Sequence, residues 1–171
     1  MKKILLCIAI FVICIILTLL SGCNSKLGSP QNPLGDKGLA GKQKAEEVME
    51  YLKTGDVESL KAMFCNELKN RDDFDEKISE GISFIDGEII SYDIGGGSGG
   101  RGKSWEKLSP TIYNIKTYKN KYYTIYLSIY IENEDENKLG IHDLNIWLED
   151  GSEDTKNGIR NSNNNVCIYT E

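Results

Sequence analysis

The first residues whose spacing indicates a specific chemistry form the run Leu20-Ser21-Gly22-Cys23. A short basic start, Met1-Lys2-Lys3, and the uncharged stretch 4–20 precede it. A basic start, an apolar segment and small residues before a cysteine are typical of a lipoprotein signal, in which the thiol accepts a diacylglyceryl group before cleavage. The sequence therefore predicts a signal peptide over residues 1–22 and a lipid on Cys23. That lipid would anchor the chain at the extracytoplasmic face of a bacterial cell membrane.

The alternative for this segment is a transmembrane helix. The uncharged stretch 4–20 has 17 residues, whereas a membrane-spanning helix usually needs about 20 apolar residues. A spanning helix also has no need for the Leu-Ser-Gly-Cys ending. We therefore favour the lipid anchor, because acyl chains on Cys23 would hold the protein at the membrane without a helix.

A second run with chemical meaning is the glycine-rich segment 97–104, which matches the phosphate-loop pattern G-x-x-x-x-G-K-[ST]. A phosphate loop needs a helix directly after it, because the first amides of that helix bind the phosphate. Here the sequence from Trp105 leads within six residues into strand periodicity. The glycines at 97, 99 and 102 also match a dinucleotide-binding pattern, which fails for the same reason. We therefore expect a flexible connection between strands and no bound nucleotide.

His142 is the only histidine of the chain. It alternates in phase with Leu144, Ile146 and Leu148, so we expect it to point toward their face of a strand. Two interpretations stay open, a general base in a pocket or a histidine packed at the edge of the core. A zinc site would need a second histidine or a suitable cysteine pair. The sequence predicts no catalytic set, no metal and no cofactor.

Acidic residues cluster at two places, in the run 132–136 and in the run 150–154. Asp150, Ser152 and Asp154 alternate faintly as in a calcium loop, but Thr155 stands where such a loop requires glycine. We interpret both runs as solvated loops.

Tyrosines give a further pattern. With Lys119-Asn120 as a hairpin turn, Tyr113 is expected opposite Tyr126 and Thr117 opposite Tyr122. The same face would carry Thr124, Ser128 and Tyr130, and the opposite face, expected to meet the helices, would carry Ile112, Tyr123, Ile125, Leu127, Ile129 and Ile131. The tyrosine face, with Tyr113, Tyr122, Tyr126 and Tyr130, is either a partner-binding surface or ordinary cross-strand packing.

The elements that would position these residues follow from periodicity. Residues 24–41 hold four glycines and two prolines and predict a flexible tether. Helices are expected from Lys42 to Thr54, from a cap at Asp56 to Leu68, and after a cap at Asp72 or Asp73. Strands are expected over residues 88–94, 109–118, 121–131, 139–148 and, as a short last strand in the polar segment 151–171, 166–169. Helices followed by antiparallel strands predict an α+β domain over residues 42–150.

The net charge limits the kinds of partner, and the cysteines leave one possible disulfide. Without residues 1–22 the chain has 18 basic and 26 acidic residues, a net charge of −8. This balance argues against nucleic acid, which binds basic surfaces. Cys65 and Cys167 remain after the signal and the lipidated cysteine are set aside. A disulfide between them and two free buried thiols are both compatible with an extracytoplasmic protein.

The run AEEVMEYLKTGDVESLKAMF, residues 45–64, resembles the opening of nuclear transport factor 2-like domains. The continuation FDEKISEGISFIDGEIISYDI is similar to an uncharacterised family of bacterial lipoproteins assigned to that superfamily. The resemblance covers residues 42–148, with the Gly55-Asp56 break as its clearest mark. It implies helices packed on a curved antiparallel sheet, a cone with a pocket between them, and it brings no catalytic residues.

These features together predict a lipid-anchored binding module of the cell envelope that is not an enzyme. Its partner would be a small ligand, an envelope protein or a second copy of the chain. A small hydrolase or isomerase that uses His142, and a homodimerising structural module, are the alternatives.

Overall fold

The computed structural model describes residues 35–149 and 165–169. The predicted signal, Cys23, most of the predicted tether and residues 150–164 lie outside the described residues. Helices come first and a five-stranded antiparallel sheet follows, so the predicted α+β class is confirmed. No helix in the described ranges is both long and apolar enough to cross a membrane.

Within the described residues, four helices precede the sheet. They are α1 (Gly35–Thr54), α2 (Val57–Ala62), α3 (Asn66–Lys69) and α4 (Phe74–Phe84). The strands pair in chain order, each antiparallel to the next. They are β1 (Ile89–Arg101), β2 (Trp105–Thr117), β3 (Tyr122–Asn133), β4 (Gly140–Glu149) and β5 (Asn165–Ile168).

The core lies between the helices and one face of the sheet. Of the aliphatic face expected there, Ile112, Tyr123, Ile125, Leu127 and Ile129 are buried. They pack with Met49 and Ile78 of the helices and with Phe64, which lies between α2 and α3. Full burial of one side chain of this size stabilises the fold by roughly 1.5–3 kcal/mol, so this layer is a main source of stability. Ile131 is the exception, because it is 40% exposed.

Helix α1 begins at Gly35, seven residues before the predicted start at Lys42. The first part of α1 was assigned to the tether because of its glycines, but these glycines lie inside a helix that packs on the sheet. A Cβ on Gly41 would lie 3.7 Å from Pro110 and 3.9 Å from Leu108. Gly38 and Gly41 are both buried. The helix therefore replaces the last part of the predicted tether.

A buried carboxylate fastens this first part of α1 to the strands. Glu106 on β2 is 6% exposed, and its carboxylate lies 2.7 Å from Lys37 Nζ and 3.4 Å from Arg101 Nε. A buried carboxylate needs such cationic partners, because desolvation would otherwise favour its neutral form. Lys37 therefore fixes the start of α1 to the end of the sheet where β2 begins.

The break after α1 agrees with the prediction. Gly55 has a positive φ of 69°, and the main-chain N–H of Ser59 donates to the Asp56 carboxylate at 3.1 Å. Asp56 thus caps α2, and this hydrogen bond lowers the pKa of its carboxyl group.

The second predicted helix does not continue to Leu68. The chain leaves the helix at Met63 and pairs with β4, where Ile141 N–H donates to the Met63 carbonyl at 2.8 Å and Cys65 N–H donates to the Ile141 carbonyl at 3.1 Å. The new helix α3 then starts at Asn66. Pairing with the edge of β4 replaces helical hydrogen bonds here, while Leu60, Phe64 and Leu68 of the predicted apolar stripe are buried.

Asp73 stands at the start of α4 as predicted, but its side chain makes no capping hydrogen bond. Its carboxylate instead accepts from Arg71 Nε at 3.2 Å and from Tyr169 Oη at 3.0 Å. Burial and this carboxylate raise the pKa of Tyr169 to about 12. The pair therefore ties the last strand, which is found one residue before its predicted bounds, to the start of α4.

The two cysteines are free thiols. Cys65 is fully buried before α3, and Cys167 lies partly exposed on β5, where its sulfur accepts from Asn165 Nδ2 at 3.3 Å. Of the two interpretations the structure supports free thiols, although Cys167 is less buried than expected. Burial raises the pKa of both thiols, which makes them poor nucleophiles near neutral pH.

The glycine-rich segment is a strand and not a flexible connection. Residues 95–101 belong to β1 and pair with β2, and the tight turn comes only afterwards, where Gly102 N–H donates to the Trp105 carbonyl at 2.8 Å. A strand, β2, follows the segment where a phosphate loop would have a helix. The predicted failure of the phosphate-loop pattern thus has a structural basis.

Candidate functional site

One face of the sheet points away from the core, and we call it the outer face. On β2 and β3 it carries Trp105, Lys107, Tyr113, Lys116, Tyr122, Tyr126 and Tyr130, in alternation with the buried residues of the same strands. Three of these rings are substantially exposed: 37% for Trp105, 40% for Tyr113 and 39% for Tyr122.

The register of the predicted hairpin is wrong, although its turn is right. Asn120 adopts the positive φ of 60° that the turn requires. Tyr126 pairs with Thr111 rather than Tyr113, and Tyr122 pairs with Lys116 rather than Thr117. At the turn the cause is a three-residue loop, because Thr117 N–H donates to the Lys121 carbonyl at 3.0 Å. A further irregularity between Ile112 and Ile115, where Asn114 has a φ of 53°, shifts the pairing by one more residue. A bulge of this kind inserts one residue and reverses the alternation beyond it.

Because of the bulge, one residue also lies on the face opposite to the predicted one. Thr117 was expected beside the tyrosines, yet it is fully buried and pairs with Ile89. Tyr113 remains on the outer face, where it pairs with Asp93 on β1. The four predicted tyrosines therefore share the outer face, but Tyr126 and Tyr130 are more buried than Tyr113 and Tyr122.

Aromatic and cationic contacts hold several of these rings in place. Tyr130 packs edge-on against Trp105 and His142, with centroid distances of 6.0 and 5.5 Å. Lys107 Nζ lies 5.8 Å from the Tyr130 ring, and Lys116 Nζ lies 5.6 Å from the ring of Tyr122. Rings held in this way lose little conformational freedom when a partner covers them, so the outer face is suited to binding.

Sequence reasoning missed Trp105, Lys107 and Lys116. The signal was available for Trp105 and Lys107, because they alternate with Glu106 and Leu108. Lys116 lay inside the predicted strand but was placed on the opposite face, because the bulge at Asn114 was not foreseen. The predicted strand began at Ser109, four residues after the observed start of β2. The early part of β2 was instead assigned to the glycine-rich connection.

His142 does not share the face of Leu144 and Ile146 as predicted. The pairing of β3 with β4 shifts between Ser128 and Ile129, which leaves His142 as the extra residue of a bulge. Its ring lies against Tyr130, and its Nε2 atom is 3.9 Å from Glu67 Oε2. That separation is too long for a hydrogen bond, so the pair is not a formed general-base dyad.

An apolar cleft, which we call the end cleft, opens at the end of the sheet where β3 stops and β4 starts. Its volume is about 280 Å³. The described residues that line it are Lys44, Met63, Ile129, Tyr130, Ile131, Gly140 and Ile141. His142 is not among them, so the predicted pocket histidine lies beside this cleft and not inside it.

A second, shallow hollow of about 550 Å³ lies between α1 and β1. It is lined by Gln43, Glu46, Glu47, Glu50 and Tyr92. Lys42 and Lys44 neutralise part of this charge, at 3.8 Å from Glu46 and 2.8 Å from Glu47. Within residues 35–149 and 165–169, no three histidine, cysteine or carboxylate side chains are arranged to hold a metal ion. The calcium-like run 150–154 lies outside the described residues.

The chain matches the model of a known protein family. A family model described as a domain of unknown function, DUF5104, matches residues 47–160. The match runs from the middle of α1 past the end of β4 and leaves Cys23 outside. Among curated proteins, none matches the chain.

Proposed function

The chain belongs to this family of domains of unknown function, DUF5104, and we propose that it is a lipid-anchored binding module on the extracytoplasmic face of the cell membrane. It holds a partner by contact and catalyses no reaction. The anchor is the lipid on Cys23, and the contact surface is the outer face of β2 and β3. The partner is an envelope protein or a second copy of the chain.

One observation carries the proposal: a row of ordered aromatic rings that remains substantially exposed. Trp105, Tyr113 and Tyr122 each expose 37–40% of their surface. Large rings exposed together on a sheet are a feature of interaction surfaces. Tyrosine suits such a surface because its ring buries area while its hydroxyl group stays hydrated before binding.

We further propose that the domain is a nuclear transport factor 2-like cone. The order of elements, helices first and a meandering sheet after them, supports this assignment. Irregular pairing in β1, β2 and β4 supports it too, because bulges bend a sheet. The end cleft corresponds in kind to the pocket that such a cone would hold between helices and sheet.

Site-specific photo-cross-linking in living cells tests the contact surface. A photoreactive phenylalanine replaces Tyr113 or Tyr122, and the control position is Tyr118, which lies at the hairpin turn and is 81% exposed. We expect one defined product from positions 113 and 122 and none from position 118. A product of twice the mass identifies a second copy as partner, and another mass identifies an envelope protein. Equal labelling from all three positions, or none, contradicts the proposed surface.

A further inference from the structure

The end cleft has the chemistry of a hydrocarbon-binding site. Its walls come from Met63 on the helical side and from Ile129, Ile131 and Ile141 on the strands. Ile131 is the extra residue of a bulge between β2 and β3, which turns it toward solvent and leaves it 40% exposed. Leu139, the residue before Gly140, is 38% exposed. The apolar lining therefore continues outward at this end of the sheet.

A single cation stands among the described lining residues. Lys44 projects from α1, its side chain is 43% exposed, and its ammonium group lies 2.8 Å from the Glu47 carboxylate. A surface ion pair of this kind is weak, so an incoming anion can compete with Glu47 for Lys44. An apolar wall with one accessible ammonium group fits an amphiphile with an acidic head.

The close approach of β4 and the helical segment shapes one side of the cleft. Gly140 has a φ of 116°, and a Cβ at this position would lie 2.6 Å from the Met63 carbonyl oxygen. Ile141 N–H donates to the same carbonyl at 2.8 Å. These contacts fix the lining on two sides independently of any ligand, so the cleft is largely formed before binding.

The cleft also lies at the end where the chain enters the domain. Lys37, in the first turns of α1, is bound to Glu106, and Glu106 pairs with Glu132 next to Ile131. Eleven residues lie between Cys23 and Gly35, so the two Cα atoms are at most about 43 Å apart. A lipid on Cys23 would therefore keep the domain within reach of the bilayer.

We propose that the end cleft binds the hydrocarbon chain of an acidic amphiphile, with Lys44 facing the acidic head. The chain is an acyl chain of an anionic bilayer lipid, and the inference rests on the proposed anchoring, which would hold the domain near the membrane. A cavity of roughly 150 Å³ holds one benzene ring. The 280 Å³ cleft therefore accepts a chain on the order of ten carbons.

The test uses the chain without its first 22 residues, made inside the cell so that Cys23 carries no lipid. This form retains all of the compact unit from Leu34 to Glu171. Decanoate is titrated below its micelle concentration into protein with labelled isoleucine methyl groups. We expect saturable shifts at Ile129, Ile131 and Ile141, and unchanged signals at Ile90, which lies on β1 and is 50% exposed. Absent or non-saturable shifts, or shifts spread over the whole domain, overturn the proposal.

Two matched pairs of variants locate the site. Lys44→Glu should weaken decanoate binding roughly three- to tenfold and leave binding of the neutral decanol unchanged. Lys42→Glu is the control, because Lys42 has the same exposure and also pairs with a glutamate. Ile131→Asp should reduce binding of both probes at least tenfold, whereas Ile90→Asp should not. Equal losses within either pair contradict the assignment, and melting curves verify that each variant is folded.

Vesicles of phosphatidylglycerol test whether a bilayer lipid supplies the chain. If vesicles shift the same methyl groups of the unlipidated protein, the proposed ligand is supported. If only decanoate does so, while the lipidated protein in detergent shows these methyl groups already shifted, the lipid on Cys23 occupies the cleft and the proposed ligand is wrong. Loss of lipidation would contradict the proposed anchoring but would leave decanoate binding intact, so the two hypotheses fail separately.

Discussion

Asp86 shows how one exposed carboxylate can organise several elements. It follows α4 and lies against the β2–β3 hairpin, where its carboxylate accepts from Lys119 and, at 2.8 Å, from Lys121. Its main-chain N–H donates to Tyr123 Oη at 2.9 Å. Lys119, and after it Lys121, lower the pKa of Asp86 to about 2. The ionised form is therefore the one that the folded state stabilises.

The lowered pKa of Asp86 predicts how the stability of the fold changes at acidic pH. A carboxyl group with a folded pKa of about 2 and an ordinary pKa of 3.8 contributes fully above the ordinary value and loses its contribution as pH falls through about 2. Asp86→Asn should therefore unfold at lower urea concentration than wild type at pH 7, and the difference should close between pH 4 and pH 2. Glu88→Gln, at an exposed position nearby, is the control. A difference that persists unchanged at pH 2 would contradict this role.

Single residues also set the limits of what the sequence could predict. Alternation correctly assigned Ile125 and Ile129 to the core and Tyr113 and Tyr122 to the opposite face. It failed beyond Asn114 and at His142, because a bulge adds one residue to a strand without changing its composition. Asparagine tolerates positive φ, so Asn114 carried a weak signal, but the bulge at His142 follows from its position opposite Ser128 and Ile129. Long-range pairing of this kind is invisible in local periodicity.

At the scale of the element, β1 explains why so many glycines follow one another. Its glycines are covered by rings from β2: a Cβ at Gly95 would lie 3.2 Å from the Tyr113 ring, and one at Gly100 would lie 3.1 Å from Trp105. Gly97 faces the backbone of β2, where a Cβ would lie 2.5 Å from Pro110 N. Space, not flexibility, thus requires glycine here, and the sequence alone does not show which rings fill that space.

Two glycines on either side of Pro110 should respond oppositely to alanine. Gly97→Ala places a methyl group against backbone atoms, so the free energy of unfolding should fall by about 1–3 kcal/mol. Gly41→Ala places one in ordinary contact with Pro110 and Leu108, at 3.7 and 3.9 Å, inside helix α1, and should raise stability by about 0.5–1 kcal/mol. Urea unfolding of both variants checks the pair. A neutral Gly97→Ala would show that the strands do not approach as closely as described.

The same strand yields a prediction about nucleotides. The segment 97–104 matches a phosphate loop in letters, but β2 follows the turn at Gly102, so no helix presents its first amides there. We expect no saturable binding of ATP with magnesium to the unlipidated chain. A micromolar affinity, near −8 kcal/mol, that disappears in Lys103→Ala would contradict this expectation.

On the scale of the whole molecule, the core, the outer face and the end cleft occupy different parts of the described domain. The core layer holds the fold, the outer face offers exposed rings, and the end cleft lies beside the point where α1 begins. Glu106 links these places, because its carboxylate is buried under Lys37 and Arg101 between the start of α1 and the end of β1. The proposed anchor would therefore join the domain at an end of α1 that is fixed to the sheet.

The last prediction concerns the anchor on which this arrangement depends. The run Leu20-Ser21-Gly22-Cys23 behind a basic start predicts that the mature chain begins at a lipidated Cys23. Wild type and Cys23→Ala are expressed with their signals, and partition into detergent and intact mass are measured. Wild type should enter the detergent phase with a mass that begins at Cys23 plus acyl groups, because each buried methylene contributes roughly 0.8 kcal/mol of membrane affinity. The Cys23→Ala chain should either keep its uncleaved start at Met1 or show an intact mass without acyl groups. Ser21→Ala, which preserves a small residue before the cysteine, is the matched control and should be processed normally. A wild-type chain that retains Met1 would show that residues 1–22 act as something other than a lipoprotein signal. The same conclusion would follow if wild type and Cys23→Ala differed in mass only by the substituted atom.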